Sequence, residues 1–257
     1  MPELPDLEVF SKNLTKRFGG KTLKKISIAN KSKVKTPEKS FKKLEGEKLK
    51  EVYREGKELR FLFGKQTIGM HLMLNGNLYL LEDEKSQKNQ IMQMVFTNDD
   101  GFALTDWQRA ANITLNPEEK TAPDALSEEV NASLLKQKTS KSRTNIKNLL
   151  MDQKFIRGIG NAYADEILYN ARIHPLSVCN KIPDARITVL AKSIKKVLLN
   201  AVKYIEKHHP DLISGEVRDF LPIHHHKKKK SPGGFPIKKT EVNKRITYYT
   251  DEQNLFA

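Results

Sequence analysis

The segment KFIRGIGNAYADEILYNARIHP, residues 154–175, is the most informative stretch in the C-terminal half of this chain. Gly158 and Gly160 predict a tight turn, and Asn161 is a residue type that caps helix N-termini, so we predict a helix directly after the turn. Turn amides and a helix N-terminus together form a seat for a phosphate group. A Gly-x-Gly-Asn turn between helices is more often purely structural, so a nucleic-acid role depends on the rest of the chain.

The N-terminal run MPELPDLEVF carries a second pattern. Removal of Met1 would leave a secondary amine on Pro2, and an α-amino group with a pKa near ~8, against ~10.4 for lysine, is far more often neutral at pH 7. Such an amine that attacks a sugar aldehyde carbon forms an iminium, which is an electron sink for breaking neighbouring C–O bonds. Glu3 is close enough to exchange protons at that sugar. Without further support, a proline-stiffened chain start is the commoner explanation.

The formal net charge of +15 over 257 residues favours a polyanionic partner, with acidic membranes as a weaker alternative. No apolar run approaches the ~18 residues of a membrane span, and the N-terminus lacks a signal pattern. A single cysteine, Cys179, excludes an internal disulfide and argues against a thiolate-rich zinc site. We expect a soluble intracellular protein without a membrane partner, in the cytoplasm near the nucleoid of a bacterium or in the nucleus of a eukaryote.

Hydrophobic periodicity predicts an α+β protein. Leu7, Phe10, Leu14 and Phe18 recur at helical spacing, and Gly19-Gly20 ends that helix. A β-sandwich is predicted from short strands between residues 22 and 115, which are LKKISI, LKEVY, ELRFLF, MHLMLNGNLYLL, MQMVF and FALTD. Residues 116–125 form a linker, and helices are predicted near 126–137, 143–152, 161–171 and 183–208. A basic tract, HHHKKKK at 224–230, precedes a hairpin in PIKKTEVNKRITYYT.

The segment 154–175 is similar to the helix–two-turn–helix segment of the formamidopyrimidine-DNA glycosylase/endonuclease VIII family of base-excision repair enzymes. The opening PELPDLEVF resembles the start of the same family, and weaker similarities extend over essentially the whole chain. The resemblance implies an N-terminal catalytic β-sandwich with a flanking helix, a helical DNA-binding domain and a C-terminal hairpin, over residues 1–120, 125–222 and 223–257. It also implies that damaged DNA lies in a basic cleft between the sandwich and the helical domain. The sequence leaves the oligomeric state open, and a monomer is the default expectation.

The resemblance assigns the chemistry to four residues. Pro2 matches the Schiff-base nucleophile, and Glu3 matches the neighbouring acid. Lys57, in YREGKELRF, matches a lysine at a β-hairpin turn that assists elimination and contacts the phosphate beside the lesion. Arg245, in TEVNKRITYY, matches the arginine at the tip of the C-terminal finger. Apart from the resemblance, Lys57 is one lysine among many.

Five further residues match positions that bind DNA in the family. Arg143 and Asn161 match phosphate-binding positions, Gln90 stands where a DNA-contacting histidine is common, and Leu74 occupies the position of an apolar wedge. Leu74 also fits an ordinary core residue beside a strand turn. Arg109 lies in a segment that departs from the family pattern Asp-Pro-Arg-Arg-Phe and here reads DWQRA, residues 106–110. Opposite-strand contacts are therefore expected to be weaker or differently built, with Trp107 as one alternative.

Two other departures bear on the implied activity. The four cysteines that usually bind zinc in the finger correspond to Lys230, Gly233, Thr250 and Gln253, so we predict a zincless finger and no cofactor. Packing of apolar hairpin residues is expected to replace the metal; these are Ile237, Val242, Ile246 and Tyr249. Few residues separate VRDFL, at 217–221, from the finger. No room remains for the long loop that closes over 8-oxoguanine in some members, which favours oxidised pyrimidines, ring-opened purines, hydantoins or abasic sites.

The sequence therefore predicts a DNA glycosylase with abasic-site lyase activity, in which a Schiff base on Pro2 is followed by β,δ-elimination. Two alternatives remain open at this stage. The first is a non-catalytic nucleic-acid-binding protein, since the helix–two-turn–helix element also occurs in a ribosomal protein that binds RNA. The second is a lyase that cuts abasic sites but releases few bases, which the altered wedge residues would suit.

Overall fold

The computed structural model describes residues 1–29, 34 and 36–257. Its helices, numbered α1 to α6 within these residues, are Leu4–Phe18, Glu38–Lys42, Ala132–Ser140, Ile146–Met151, Asn161–Ala171 and Asp184–His208. Its strands, numbered β1 to β10, are Leu23–Ile28, Leu49–Glu55, Glu58–Phe63, Gln66–His71, Asn77–Leu80, Gln90–Phe96, Gly101–Thr105, Asn112–Leu115, Lys238–Val242 and Arg245–Tyr249. Among these residues, none of the helices has both the length and the apolar character that crossing a membrane requires.

The chain divides into two compact units. The first unit comprises Met1–Glu119 and Tyr204–Glu216, and the second comprises Lys120–Lys203 and Val217–Ala257. The first unit contains the sandwich and α1, whereas the second contains α3 to α5, most of α6 and the C-terminal hairpin. The α+β class is thus confirmed, with the β-sandwich, the flanking helix, the helical region and the terminal hairpin all present.

The sandwich consists of two antiparallel four-stranded sheets, in the orders β1-β6-β7-β5 and β2-β3-β4-β8. Aromatic side chains fill the space between them. Phe61 of β3 stacks on Phe102 of β7 with 5.5 Å between ring centroids, which joins the two sheets. Phe18, at the end of α1, stacks on Phe96 of β6 at 4.9 Å, so the helix shares the same core. Gly19 and Gly20 follow directly, as predicted, and Gly20 has a φ of 80°.

Strand prediction was correct in outline and incomplete in detail. The segment MHLMLNGNLYLL contains parts of two strands, because β4 and β5 belong to different sheets and the turn before Asn77 carries the chain from one sheet to the other. The short elements α2 and β8 were not predicted. β8 is only four residues long and pairs at the edge of its sheet with β4, so its hydrophobic pattern is too brief to stand out.

The helices of the second unit agree with the sequence in number and order. α5 has the predicted bounds, and α6 begins one residue later than predicted. α3 and α4 begin later because asparagines cap them: Asn131 accepts a hydrogen bond from the backbone N–H of Leu134 at 3.1 Å, and Asn145 accepts one from Asn148 at 2.9 Å.

Candidate active site and nucleic-acid interface

The N-terminus of α1 positions the two residues at the start of the implied chemistry. Pro2 and Glu3 are both buried, and Glu3 is the N-cap of the helix. Glu3 and Asp6 form a reciprocal capping box, in which the backbone N–H of Glu3 donates to Asp6 Oδ2 at 2.9 Å and the Glu3 carboxylate accepts from the Asp6 backbone. Asp6 is fully buried. Pro5 lies in the first turn, where a missing N–H has no cost. The residue order of this segment therefore dictates a rigid start to the helix.

The amino group of Met1 is ion-paired with the carboxylate of Glu216. Both side chains are about a third exposed or less, at 29% and 36%. An acidic group thus lies beside the chain terminus in the unprocessed protein.

Lys57 lies in the two-residue turn between β2 and β3, as predicted, and Gly56 has the positive φ of 59° that this turn requires. Arg54 connects this turn to α1. Its guanidinium donates from Nε to Glu8 Oε2 at 3.0 Å and from Nη1 to the carbonyl of Gly56 at 3.1 Å. Because Glu8 belongs to α1, a single buried arginine links the helix that begins after Glu3 to the turn that carries Lys57.

Leu74 lies in an exposed turn between β4 and β5, not in the core, and 65% of its surface is accessible. Arg109 also lies in an exposed loop, after β7, with a φ of 55°. The two loops are joined directly, because the Asn75 amide Nδ2 donates to Gln108 Oε1 at 2.5 Å. The structure thus brings two of the predicted DNA-binding residues onto adjacent loops.

Gln90 and Arg143 are placed differently. Gln90 begins β6 and is half-buried, and its amide donates to the carbonyl of Ser86 at 3.2 Å. Arg143 is exposed in the segment that precedes α4. Their roles in DNA binding stay predictions.

Asn161 does not cap α5, which corrects the expectation from the sequence. Gly160 is the N-cap, and Asn161 is the first helical residue. The Asn161 amide instead donates to the backbone carbonyl of Ile246 at 3.0 Å, so it fastens the start of α5 to the hairpin strand β10. Within the described residues, its Oδ1 atom is buried without a hydrogen-bond partner.

The hairpin of β9 and β10 presents Arg245 next to its tip. Asn243 and Lys244 form the turn, both with positive φ, and Arg245 is exposed at the first position of β10. The expectation that Ile246 packs inside the hairpin is wrong, because 58% of Ile246 is exposed. Tyr248 shares its strand face but lies two residues nearer the base of the hairpin. It is buried there in a cluster with three other side chains, Tyr169, Ile223 and Ile237.

A buried polar cluster supports the base of the hairpin. The Lys147 ammonium of α4 and Asp165 of α5 are both fully buried and form an ion pair at 2.7 Å. Lys147 also donates to Thr247 Oγ1 at 2.7 Å, and Asp165 Oδ2 accepts from the backbone N–H of Tyr248 at 3.0 Å. His224 contacts the same oxygen at 2.7 Å, so this first histidine of the basic tract faces inward. Two helices and β10 therefore meet at one buried ion pair.

A second polar cluster surrounds the positions that correspond to the zinc ligands of the family. The Glu252 carboxylate is ion-paired with Arg172 at 2.7 Å and accepts hydrogen bonds from Ser231, at 2.6 Å, and Thr250, at 3.2 Å. Burial acts to raise the pKa of Glu252, but the hydrogen bonds from Ser231 and Arg172 outweigh it, so the pKa lies below its ordinary value. A Cβ at Gly233 would lie 2.5 Å from Glu252 Oε1, so a larger residue there would displace this carboxylate. Across the described residues, no three His, Cys, Asp or Glu side chains converge as metal ligands do.

Glu166 anchors the segment that leads into the basic tract. Its Oε1 atom accepts hydrogen bonds from the backbone N–H groups of Ile223, at 2.9 Å, and His224, at 2.7 Å. Burial, reinforced by the charge of Asp165, raises the pKa of Glu166 to about 7 from an ordinary value of 4.5. Among the described residues, Oε2 has no hydrogen-bond partner, so nothing there compensates for burying a negative charge.

A pH-dependent stability follows for Glu166. Because the folded chain holds this proton more tightly than the unfolded chain, the stabilising contribution is complete below pH 4.5 and is lost as the pH rises to about 7. Glu166→Gln mimics the protonated form at every pH. The free energy of unfolding of Glu166→Gln minus that of the wild type should therefore increase by roughly 3 kcal/mol as the pH rises from 4.5 to about 7. Urea denaturation at several pH values measures it. Glu128→Gln, at a fully exposed carboxylate, is the control, and equal pH profiles for Glu166→Gln and wild type would contradict the assignment.

Several of these supporting residues were missed by the sequence analysis. Arg54 lies three residues before Lys57 in a strand rich in charge, and nothing in its spacing separates it from solvated neighbours. Lys147 gives a weak signal, because it is a lone cation within the apolar run of α4. Asp165 and Glu166 are adjacent acids on a helix that is otherwise buried and apolar, and that contrast is a usable signal.

Comparisons with known proteins agree with this architecture. The model of the formamidopyrimidine-DNA glycosylase N-terminal domain matches residues 1–113, and that of the formamidopyrimidine-DNA glycosylase H2TH domain matches residues 121–209. The formamidopyrimidine-DNA glycosylase of Lactobacillus johnsonii is 32% identical over 215 residues, which cover 79% of this chain and 78% of that protein.

Solved structures extend the similarity to nearly the full length. The complex of Lactococcus lactis Fpg with DNA that contains an abasic site is 26% identical, with a TM-score of 0.87 over 98% of this chain and 99% of that one. The complex of the wild-type Lactococcus lactis protein with DNA that contains an oxidised pyrimidine has the same TM-score and the same coverage, at 28% identity.

Proposed function

This chain belongs to the formamidopyrimidine-DNA glycosylase family, and on that premise we propose that it is a base-excision repair DNA glycosylase with abasic-site lyase activity. The substrate is damaged duplex DNA. The enzyme acts through the N-terminal amine that removal of Met1 exposes on Pro2, and this chemistry uses only the chain's own groups.

Each step of the proposed reaction has a donor or acceptor in the chain. The nitrogen of Pro2 attacks C1′ of the damaged nucleotide, the C1′–N bond to the base breaks, and the base leaves with that electron pair and a proton. Glu3 transfers protons at the sugar as the ring opens and the iminium forms. Loss of a C2′ proton then expels the 3′ phosphate, and a second elimination expels the 5′ phosphate. Lys57 assists elimination and binds the phosphate beside the lesion.

The observation that carries this proposal is the hydrogen-bonded connection between α1, which begins after Glu3, and the turn that carries Lys57. The capping box fixes Glu3 at the start of α1, and Arg54 ties α1 to the turn of Lys57 through Glu8 and the Gly56 carbonyl. A protein that merely bound nucleic acid would have no need of a nucleophilic N-terminus next to an acid. Preorganisation of this kind is what covalent catalysis requires.

DNA binding is proposed to rest on exposed cations of both units. Arg109, Arg143 and Arg245 are exposed, and each lies in a loop or beside a hairpin turn, where it can reach a phosphate. Contacts of this kind set register and contribute affinity without reading base sequence. Asn161 is proposed to act beside them at the start of α5.

The short segment between Leu221 and the C-terminal hairpin supports a proposal about which damaged bases the enzyme removes. Backbone N–H groups of Ile223 and His224 are bound to Glu166 only two residues after Leu221, so the segment is tied to α5 almost at once. This anchoring supports oxidised pyrimidines, ring-opened purines, hydantoins or abasic sites as substrates, in preference to 8-oxoguanine.

Borohydride trapping tests the proposal directly. Processed protein, with its mature N-terminus verified by mass spectrometry, is incubated with duplex DNA that contains one abasic site, with and without borohydride. We expect strand cleavage without the reductant and a covalent complex with it, and peptide mapping of that complex should place the DNA on Pro2. Binding without either product would overturn the proposal in favour of a non-catalytic binder. A panel of duplexes with oxidised bases then separates a glycosylase, which cuts them, from a lyase that cuts abasic DNA alone.

A further inference from the structure

A buried arginine lies close to the turn that carries Lys57. Arg60 belongs to β3, and only 3% of its surface is exposed. Its Nη2 atom lies 2.8 Å from Glu58 Oε2 and 3.3 Å from Glu55 Oε2. One guanidinium therefore bridges two carboxylates, which stand on either side of Lys57 in the chain.

The antiparallel register of β2 and β3 brings these charges together. Glu55, at the end of β2, pairs with Glu58, at the start of β3, so both side chains lie on the same face of the sheet. Arg60 follows Glu58 by two residues and shares that face. The other face of β3 packs into the core of the sandwich through Leu59, Phe61 and Phe63. The three charges thus form a cluster on the face that points away from the core.

The next strand and the segment after β8 cover Arg60. Gly69 of β4 is the register partner of Arg60, and a Cβ there would lie 2.9 Å from Glu58 Oε1 and 2.9 Å from Pro117 Cγ. The carbonyl of Pro117 accepts a hydrogen bond from Arg60 Nη1 at 3.3 Å. A larger residue at position 69 would displace the Glu58 carboxylate or the Pro117 ring, so glycine leaves the space that the charged cluster occupies.

Stability alone does not account for a charged side chain at this position. Burying an ion pair is costly, and apolar side chains of similar volume are often equally stable or more stable. Within the described part of the chain, Arg60 Nε is buried without a hydrogen-bond partner, so the position is not optimised for hydrogen bonding either. A role that requires the positive charge explains the arginine, and Lys57, which lies between the two carboxylates in sequence, is the residue that this charge would serve.

We propose that Arg60 is a positioning residue for Lys57, which neutralises the flanking carboxylates so that the Lys57 ammonium binds the phosphate beside the lesion. The proposal rests on the proposed function, because the role of Lys57 does. The formal charges of Glu55, Lys57, Glu58 and Arg60 sum to zero, whereas without Arg60 they sum to minus one. An uncompensated carboxylate would repel the phosphate and attract Lys57 in its place, and burial strengthens this effect because charges interact more strongly away from water.

The salt dependence of DNA binding tests this inference. The probe is a duplex with a tetrahydrofuran abasic analogue, and anisotropy of a dye on the DNA gives its affinity at several salt concentrations. Each phosphate contact contributes about 0.9 to the slope of log affinity against log salt concentration. Arg60→Gln should reduce that slope by about one contact, as Lys57→Met should, and should reduce it no further in the Lys57→Met background. An unchanged slope in Arg60→Gln would overturn the proposal.

Strand cleavage and covalent trapping provide a second measure. In single-turnover reactions of abasic duplex with saturating protein, Arg60→Gln should slow strand cleavage by about tenfold, because elimination depends on Lys57. Borohydride trapping on Pro2 should change by less than about twofold, since the iminium forms before elimination. An equal loss of cleavage and trapping would indicate general damage to the fold and would overturn the proposal.

Two further variants separate the effect of charge from an effect on folding. Arg60→Gln combined with Glu58→Gln restores the wild-type sum of charges and should recover both the slope and the cleavage rate; a loss that persists would overturn the proposal. Glu58→Gln alone removes a carboxylate while Arg60 remains, so it should tighten binding of the tetrahydrofuran duplex by about twofold at low salt. Weaker binding by Glu58→Gln would overturn the proposal even if Arg60→Gln failed to fold.

Arg17 provides the matched control. It also bridges two carboxylates, with its Nη2 atom 3.3 Å from Glu82 Oε1 and 3.1 Å from Asp100 Oδ1, but it lies in the last turn of α1. Arg17→Gln should keep the wild-type slope and cleavage rate, and an equal loss there would overturn the proposal. Trapping by the wild type with an unchanged slope in Arg60→Gln would sink only the role of Arg60, whereas absence of trapping in the wild type would sink the proposed function.

Discussion

Pro2→Gly is expected to lower the rate of covalent trapping on abasic DNA by about 100-fold, equivalent to roughly 2.7 kcal/mol of barrier. Glycine retains a free amine, but the Schiff base of a primary amine can lose its N–H proton to give a neutral imine, which is a weaker electron sink, and glycine does not hold the nitrogen in one orientation. Buried Pro2 lies immediately before the capping box of α1, so the proline ring fixes the nucleophile on a rigid element. Single-turnover trapping under borohydride measures the rate.

Two control variants show whether the effect on trapping is specific to the amine of Pro2. An additional residue before Pro2 converts its nitrogen into an amide, which is not nucleophilic, so trapping should disappear while DNA binding persists. Pro5→Ala changes a proline in the first turn of the same helix and should retain wild-type trapping, since Pro5 supplies no amine. Undiminished trapping by the extended protein would mean that a lysine forms the Schiff base, and the role of Pro2 would have to be abandoned.

Lys147→Met is expected to destabilise the second unit by about 3–5 kcal/mol, because it leaves the fully buried Asp165 carboxylate without its cationic partner. The substitution also removes the hydrogen bond to Thr247, so β10 loses one of its attachments to the helices. Since Arg245 begins that strand, DNA affinity should fall before the protein unfolds. Urea denaturation gives the loss of stability, and anisotropy of labelled abasic DNA gives the loss of affinity.

A surface ion pair on the same hairpin provides the matched control. Lys238 and Asp251 are paired at 2.7 Å with both side chains about half exposed, so Lys238→Met should cost far less stability than Lys147→Met. Adding Asp165→Leu to Lys147→Met should recover part of the lost stability, because no buried charge then remains unpaired. A Lys147→Met protein as stable as Lys238→Met would show that the buried pair contributes nothing to holding the hairpin.

Local features of the fold were predictable because they depend on short-range rules. The Leu-Phe spacing and Gly19-Gly20 predicted α1, and the pattern of α5 predicted both of its bounds. The hairpin that presents Arg245 was also foreseen from its turn residues and the strand formers beside them, whereas the turn of Lys57 was implied by the family resemblance. The prediction failed at Asn161, because a segment that is distant in sequence provides its hydrogen-bond partner: the Asn161 amide bonds to the hairpin and does not cap its own helix.

The amino-acid order alone was enough to predict the class of fold and the preference for a polyanion, because periodicity and net charge need no distant partner, whereas Pro2 was assigned as the nucleophile through the family resemblance. Only the tertiary structure revealed that Arg54 links α1 to the Lys57 turn, that Lys147 and Asp165 pair in the interior, and that a hydrogen bond joins the loops of Leu74 and Arg109. Each of these depends on residues far apart in the chain. A lysine or aspartate contributes strongly to stability only when it is buried and paired, and the local sequence does not indicate which side chains become buried.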